Sequence, residues 1–102
     1  MEINWAYIFH APETDPAKDR LVIRRAGCVS TLGGVPDQAA AIKVAQELVN
    51  SGAKSIEVCG YFGPLGAAEI FKAVQGKVAI GCVMFGGESV ANAYKAFFPP
   101  GA

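Results

Sequence analysis

Between Asn4 and His10 the side chains alternate, with Trp5, Tyr7 and Phe9 on one face and Ala6, Ile8 and His10 on the other. That two-residue period predicts a first strand. Asp15 before Pro16 supplies a helix cap and a first residue with preset φ, and Ala17, Leu21, Val22 and Ala26 share one side before Gly27, which predicts a short helix. Leu21, Val22 and Ile23 are also good strand formers, so a strand from Leu21 to Val29 competes with it. Cys28 to Val35 reads as a second strand. Pro36 and Asp37 then open a helix whose apolar face is Ala41, Ile42, Ala45, Leu48 and Val49, with Lys43, Gln46 and Glu47 opposite and Gly52 at its end. Lys54 to Gly60 is a third strand. A glycine-rich turn leads to Pro64 and a helix marked by Ala67, Ile70, Phe71 and Val74, closed by Gly76. Lys77 to Phe85 is an almost wholly apolar fourth strand, and Val90, Ala91, Tyr94, Phe97 and Phe98 outline a last helix halted by Pro99 and Pro100.

Strands and helices alternating with short connections predict an α/β domain with a mainly parallel sheet, because apolar strands of this kind are buried on both faces. Right-handed crossovers then favour a four-stranded, flavodoxin-like order 2-1-3-4 with helices on both faces. Half a β/α barrel and a ferredoxin-like split sheet are the competing topologies. A chain of 102 residues accommodates one such domain, spanning 1–102.

Charge narrows the partners. Nine basic and nine acidic side chains cancel, which leaves no electrostatic footprint for nucleic acid or anionic lipid. Met1 to Trp5 lacks the basic and apolar regions of a secretion signal. The longest apolar stretch, Val78 to Gly87, is about half the roughly 20 residues of a membrane helix. A cytoplasmic protein is expected, with Cys28, Cys59 and Cys82 as reduced thiols in apolar contexts. Only 18% of residues are charged, and the mean hydropathy is +0.30. With aromatic side chains at Trp5, Tyr94, Phe97 and Phe98, this predicts apolar surface covered by another copy, that is, a homo-oligomer.

The order 2-1-3-4 places the crevice beyond the carboxyl ends of strands one and three, where the crossover direction changes. His10 ends the first strand, and Cys59 and Gly60 end the third. The only histidine and a thiol therefore meet there, as a base and a nucleophile. Gly60 and Gly63 can bring backbone amides close to a ligand, and Pro64 starts a helix aimed at it. A plainer reading leaves His10 satisfied by solvent and Cys59 as inert apolar filler. Glu57 shares a face with Cys59 in an internal strand. There it is either a buried acid or base, paired with His10 or with an arginine such as Arg20, Arg24 or Arg25, or a carboxylate that sees water. Gly86, Gly87 and Ser89 open the last helix in a layout able to cradle a phosphate, although Glu88 between them repels an anion. Neither a GxGxxG nor a P-loop motif is present, and no CxxC or HxxxH spacing exists. No cofactor and no metal are expected.

The run Trp5-Ala6-Tyr7-Ile8-Phe9 with Ala11-Pro12, Asp15-Pro16 and Arg20, followed by Ile56-Glu57-Val58-Cys59-Gly60-Tyr61-Phe62-Gly63-Pro64, resembles a family of short, uncharacterised bacterial α/β proteins known as a domain of unknown function. The resemblance extends through Phe85. It implies a compact α/β domain and directs attention to Glu57–Pro64 without implying a reaction. Two functions stand side by side. One is a site that binds or transforms a small metabolite, an anionic one included, by acid/base or thiol chemistry. The other is a non-catalytic assembly module.

Overall fold

The predicted first and third strands lie side by side and point the same way. The computed structural model describes residues 2–98. Its elements are β1 (Ile3–His10), β2 (Arg20–Arg25), β3 (Cys28–Val35), α1 (Gln38–Asn50), β4 (Ser55–Val58), α2 (Gly63–Ala73), β5 (Ala79–Cys82), a 3-10 turn at Gly87–Ser89 and α3 (Val90–Phe97). The sheet is five-stranded, in the order β2-β3-β1-β4-β5. Neighbours from β3 to β5 are parallel, and β2 is antiparallel to β3. The expected order 2-1-3-4 is therefore present as β3-β1-β4-β5, extended by one antiparallel edge strand. Pro99 and Pro100, the expected helix stop, lie outside the described residues.

The helix expected between Asp15 and Ala26 is replaced by a turn and a strand. The Asp15 carboxylate accepts from the Ala17 N–H at 2.9 Å, and the Asp15 carbonyl accepts from Lys18 and Asp19 at 3.0 and 2.8 Å. A single turn closes there. The branched side chains Val22 and Ile23 then favour extended backbone. Ala26 and Gly27 take left-handed φ of 52° and 78°, the geometry of a two-residue hairpin whose twist matches its strands. That turn also divides the alternative Leu21–Val29 strand in two.

Of the helices expected on both faces, α1 and α2 share one face, and α3 stands over the carboxyl end of the other, across from Tyr7 and Phe9. The α1 crossover carries the chain from β3 over β1 to β4, and α2 carries it from β4 to β5. Both steps run the same way across the sheet, so right-handed connections place both helices on one face. A flavodoxin-like sheet covers its other face with a helix between β1 and its returning neighbour. Here that return is made by strand β2. One core results, in which Ala6 and Ile8 of β1 and Ile56 and Val58 of β4 meet Ala41, Val44 and Ala45 of α1 and Ala67 and Ile70 of α2. Burying each of the valines and isoleucines contributes on the order of 2 kcal/mol, and each alanine methyl about 0.8 kcal/mol.

The helix layer is clamped to itself as well. Gln38 and Gln46 of α1 donate to the carbonyls of Gly66 and Ala73 in α2 at 3.0 and 3.3 Å. Gly66 is required by this approach, since a Cβ there would lie 2.8 Å from the Gln38 Oε1 and 2.9 Å from the Phe62 Cβ. Asp37 caps α1 by accepting from the Ala40 N–H at 2.8 Å.

Among the described residues no helix packs into the opposite sheet face, and α3 stands off its carboxyl end. Register places Trp5, Tyr7 and Phe9 there in the centre, Leu21, Ile23 and Leu32 toward β2, and Ser55, Glu57, Ala79 and Gly81 toward β5. The Trp5 indole N–H donates to the Ser30 hydroxyl at 2.8 Å, which holds the ring against this face. Helix α3 buries none of its side chains. The radius of gyration, 14.3 Å, exceeds the roughly 13 Å of a compact domain of this length.

Candidate functional site

Because β1 and β4 are parallel neighbours, their carboxyl ends bring His10 and Cys59 together. The Cys59 N–H donates to the Ile8 carbonyl at 3.0 Å and continues the ladder past β4. The His10 N–H in turn donates to the Cys59 sulfur at 3.3 Å. That bond comes from the backbone of His10. Its imidazole lies instead on the ring of Tyr61, with centroids 3.6 Å apart and planes 6° from parallel. Tyr61 in turn meets Phe62 edge to face at 5.1 Å, so a buried side chain of the core supports the stack from beneath.

The turn that carries Tyr61 is closed by the Phe62 N–H donating to the Cys59 carbonyl at 3.2 Å. Within it Gly60 approaches the chain beyond β5, where a Cβ would lie 3.4 Å from the Val83 carbonyl oxygen. Gly63 begins α2 with a φ of 63°, a conformation that costs glycine little. The start of α2 has no side-chain cap, and Pro64 lies in its first turn.

Glu57 is exposed although β4 is an internal strand, because its face of the sheet is the uncovered one. Among the described residues its carboxylate joins no ion pair. Arg20, one of its expected partners, pairs with Glu47 of α1 at 2.6 Å. Glu57 stands directly beside Tyr7 in the ladder. Burial raises the pKa of the Tyr7 phenol above its ordinary value, and the adjacent Cys59 and Glu57 raise it further because negative charge there opposes a phenolate.

These residues border a cleft of about 670 Å³. Its sheet side is Tyr7, Phe9 and Cys59, its rim the His10–Tyr61 stack, and its far wall Val90, Ala93, Tyr94 and Phe97 of α3. Phe85 lies 6.3 Å from Phe97 between centroids and closes one end. Gly60 is part of the lining, whereas Gly63, Gly86, Gly87, Ser89 and Glu57 are not. At the 3-10 turn the Glu88 carboxylate folds back over Gly86, so close that an added Cβ would meet its oxygens. The Ser89 N–H donates to the Gly86 carbonyl at 2.9 Å. The amides expected to face a phosphate thus sit beside a carboxylate.

All three cysteines are free, and among the described residues no cluster of histidine, cysteine and carboxylate side chains could hold a metal. No helix among them is long and apolar enough to cross a membrane. A second hollow, of about 290 Å³ between the carboxyl ends of α1 and α2, has a polar lining that includes Gln46, Asn50 and Gln75. It lies at the opposite end of the helix layer.

Sequence reasoning singled out His10, Cys59 and Gly60 in the cleft and passed over Tyr7, Phe9, Tyr61 and the α3 aromatics as site residues. The signal for Tyr7 was available. Its two-residue period puts it on the Phe9 face, and a parallel neighbour ending in Glu57 and Cys59 puts it between those groups. No curated protein and no solved structure matches the chain. A family model described as "Family of unknown function (DUF6506)" matches residues 3–98, and so runs past Phe85, where the resemblance noted in the sequence stopped. The chain belongs to the DUF6506 family.

Proposed function

We propose that the protein binds a small, neutral and largely apolar molecule, with a flat ring among its features, in the cleft between the sheet and α3. The observation that carries this reading is the lining. Aromatic and aliphatic side chains from both walls enclose about 670 Å³, within the roughly 300–1,000 Å³ of small-molecule sites, and polar groups are few and convergent. Those groups are the Tyr7, Tyr61 and Tyr94 hydroxyls, the His10 imidazole and the Cys59 thiol. Among the described residues no lysine or arginine lines the cleft, which favours a neutral molecule over the anionic metabolite that the sequence allowed.

Binding is favoured over turnover by the orientation of His10. A histidine that activates a thiol needs an imidazole nitrogen within hydrogen-bond reach of the sulfur. Here the ring stacks on Tyr61, and the sulfur is met by the backbone N–H.

The test uses N-phenylnaphthylamine, a neutral dye that brightens in apolar surroundings. Dye titrated into the wild-type protein gains fluorescence saturably, and Ala93→Trp, which fills the cleft from the α3 side, removes that gain. A wild-type protein that leaves the dye dark, or an Ala93→Trp variant that binds it unchanged, overturns the proposal.

A further inference from the structure

The sheet ends on one side at β2, which raises the question of what pairs with its free edge. We infer that this edge takes an extended acidic segment of a partner protein, added antiparallel as a further strand. Strand β2 contributes no residue to the cleft, so this inference and the ligand-binding reading stand independently.

The first reason is the backbone. Asp19 stands opposite Gly34, one step beyond the Arg20–Gly33 pair, and its carbonyl accepts from the Gly34 N–H at 2.8 Å. In an antiparallel ladder, pairs that exchange hydrogen bonds alternate with pairs that do not. Leu21, Ile23 and Arg25 therefore turn their N–H and C=O groups toward β3, and Arg20, Val22 and Arg24 turn theirs outward. Among the described residues no other segment bonds to those outward groups. The residues from Leu21 to Arg25 are all exposed, so the approach to them is open. Outward main-chain groups at every second position are what strand addition uses for attachment.

The second reason is charge, which decides the kind of strand. Three of the nine basic side chains stand within the six residues of β2, which hold no acidic one. Arg20 is engaged by Glu47, but Arg24 and Arg25 join no ion pair among the described residues. Being consecutive, these two point to opposite faces of the sheet. Two consecutive acids on an incoming strand therefore meet both, one on each face. Leu21, Val22 and Ile23 are exposed apolar side chains, and they pair best with β-branched neighbours.

A second copy fits this edge poorly. Two β2 strands related by a twofold axis at Val22 set Arg24 of each beside Arg20 of the other, and like charges directly opposite destabilise a ladder. The arginines thus guard the edge against its own kind and complement an acidic strand.

The test titrates the hexapeptide Glu-Glu-Val-Thr-Val-Thr, blocked at both ends, into the 15N-labelled full chain. In the antiparallel register its first two residues face Arg25 and Arg24. The amide signals of Arg20, Val22 and Arg24 shift saturably as they gain carbonyl acceptors, and Arg24→Glu weakens binding by about tenfold. N-methylation of the peptide residue opposite Val22, whose N–H faces β2, abolishes binding, whereas N-methylation of the residue opposite Ile23, whose N–H faces away, leaves it. Three results overturn the inference: no saturable shift of these amides, equal binding of the reversed peptide Thr-Val-Thr-Val-Glu-Glu, or equal effects of the two N-methylations. So does a wild-type chain that sediments as a multiple of 10.6 kDa and becomes monomeric in Val22→Pro. That substitution removes an outward N–H without deleting a bond to β3, and the edge would then be held by another copy.

Discussion

Ile56 and Glu57 are consecutive residues of β4 that face opposite sides of the sheet, and the one-sided helix layer makes their substitutions differ sharply. Ile56 is 0% exposed, between Ala6 on β1 and Ile80 on β5 and under the helices. Ile56→Ala removes three carbons, about 2.4 kcal/mol at roughly 0.8 kcal/mol per buried CH2. The cavity adds about 1–2 kcal/mol, because Ala6 is too small to fill it and ladders on both sides keep the strand from moving in. The sum, about 3.4–4.4 kcal/mol, is a large share of the roughly 5–15 kcal/mol that stabilises a domain of 102 residues. It lowers the melting temperature by about 12–30 °C. Glu57→Gln removes a charge that faces water without an ion-pair partner and costs no more than about 0.5 kcal/mol. Urea titration followed by circular dichroism measures both, with a common m-value as the check that only stability has changed. A loss above about 1.5 kcal/mol for Glu57→Gln would refute the uncovered face, as would a loss below about 1 kcal/mol for Ile56→Ala.

Asp37→Ala deletes the bond from the Ala40 N–H and lowers stability by about 1 kcal/mol in the same titration, whereas Asp37→Ser retains most of it. The raised pKa of Tyr7 means that the folded state disfavours phenolate. Its contribution is fully present below the ordinary tyrosine value near 10 and is lost as pH climbs through the higher folded value. Stability measured between neutral and strongly alkaline pH therefore falls above about pH 10, and falls less steeply in Tyr7→Phe. An identical slope in both proteins contradicts that assignment.

The sequence carried the parallel centre of this fold well. The alternation from Asn4 to His10, the helix opened by Asp37 and the apolar run through Ile56 and Val58 all have strong periods, and right-handed crossovers then leave few orders for the strands. Residues 15–26 were harder, because Asp15-Pro16 is a good helix start and the same segment contains Leu21-Val22-Ile23. The strand gained a ladder partner in β3, which no local pattern reveals. The expected helix cover of both faces is reduced, on the second face, to α3 at its carboxyl end, for a related reason. That expectation assumed a helix in the β1-to-β3 return, and with that helix absent the large side chains Trp5, Tyr7 and Phe9 mark a face rather than a core. The meeting of His10 with Cys59 followed from strand order. The choice of Tyr61 over the thiol as the imidazole's neighbour depends on the turn after β4, whose shape is set by tertiary contacts.

The two walls of the cleft are of unequal firmness. Tyr7 and Cys59 are fixed to a sheet whose other side is the hydrophobic core, while α3 contributes no buried side chain and is held by little beyond its own backbone bonds. Elements so sparsely anchored open at small free-energy cost. Were the cleft to take a small molecule as proposed, a guest of somewhat different girth would be accommodated by movement of α3 rather than by repacking of the barrier behind the sheet. Selectivity would then come from the fixed wall, through the shape and polar tips that Tyr7, His10 and Tyr61 present. The compliant wall would add contact area but little discrimination, and closing it would draw on part of the binding energy.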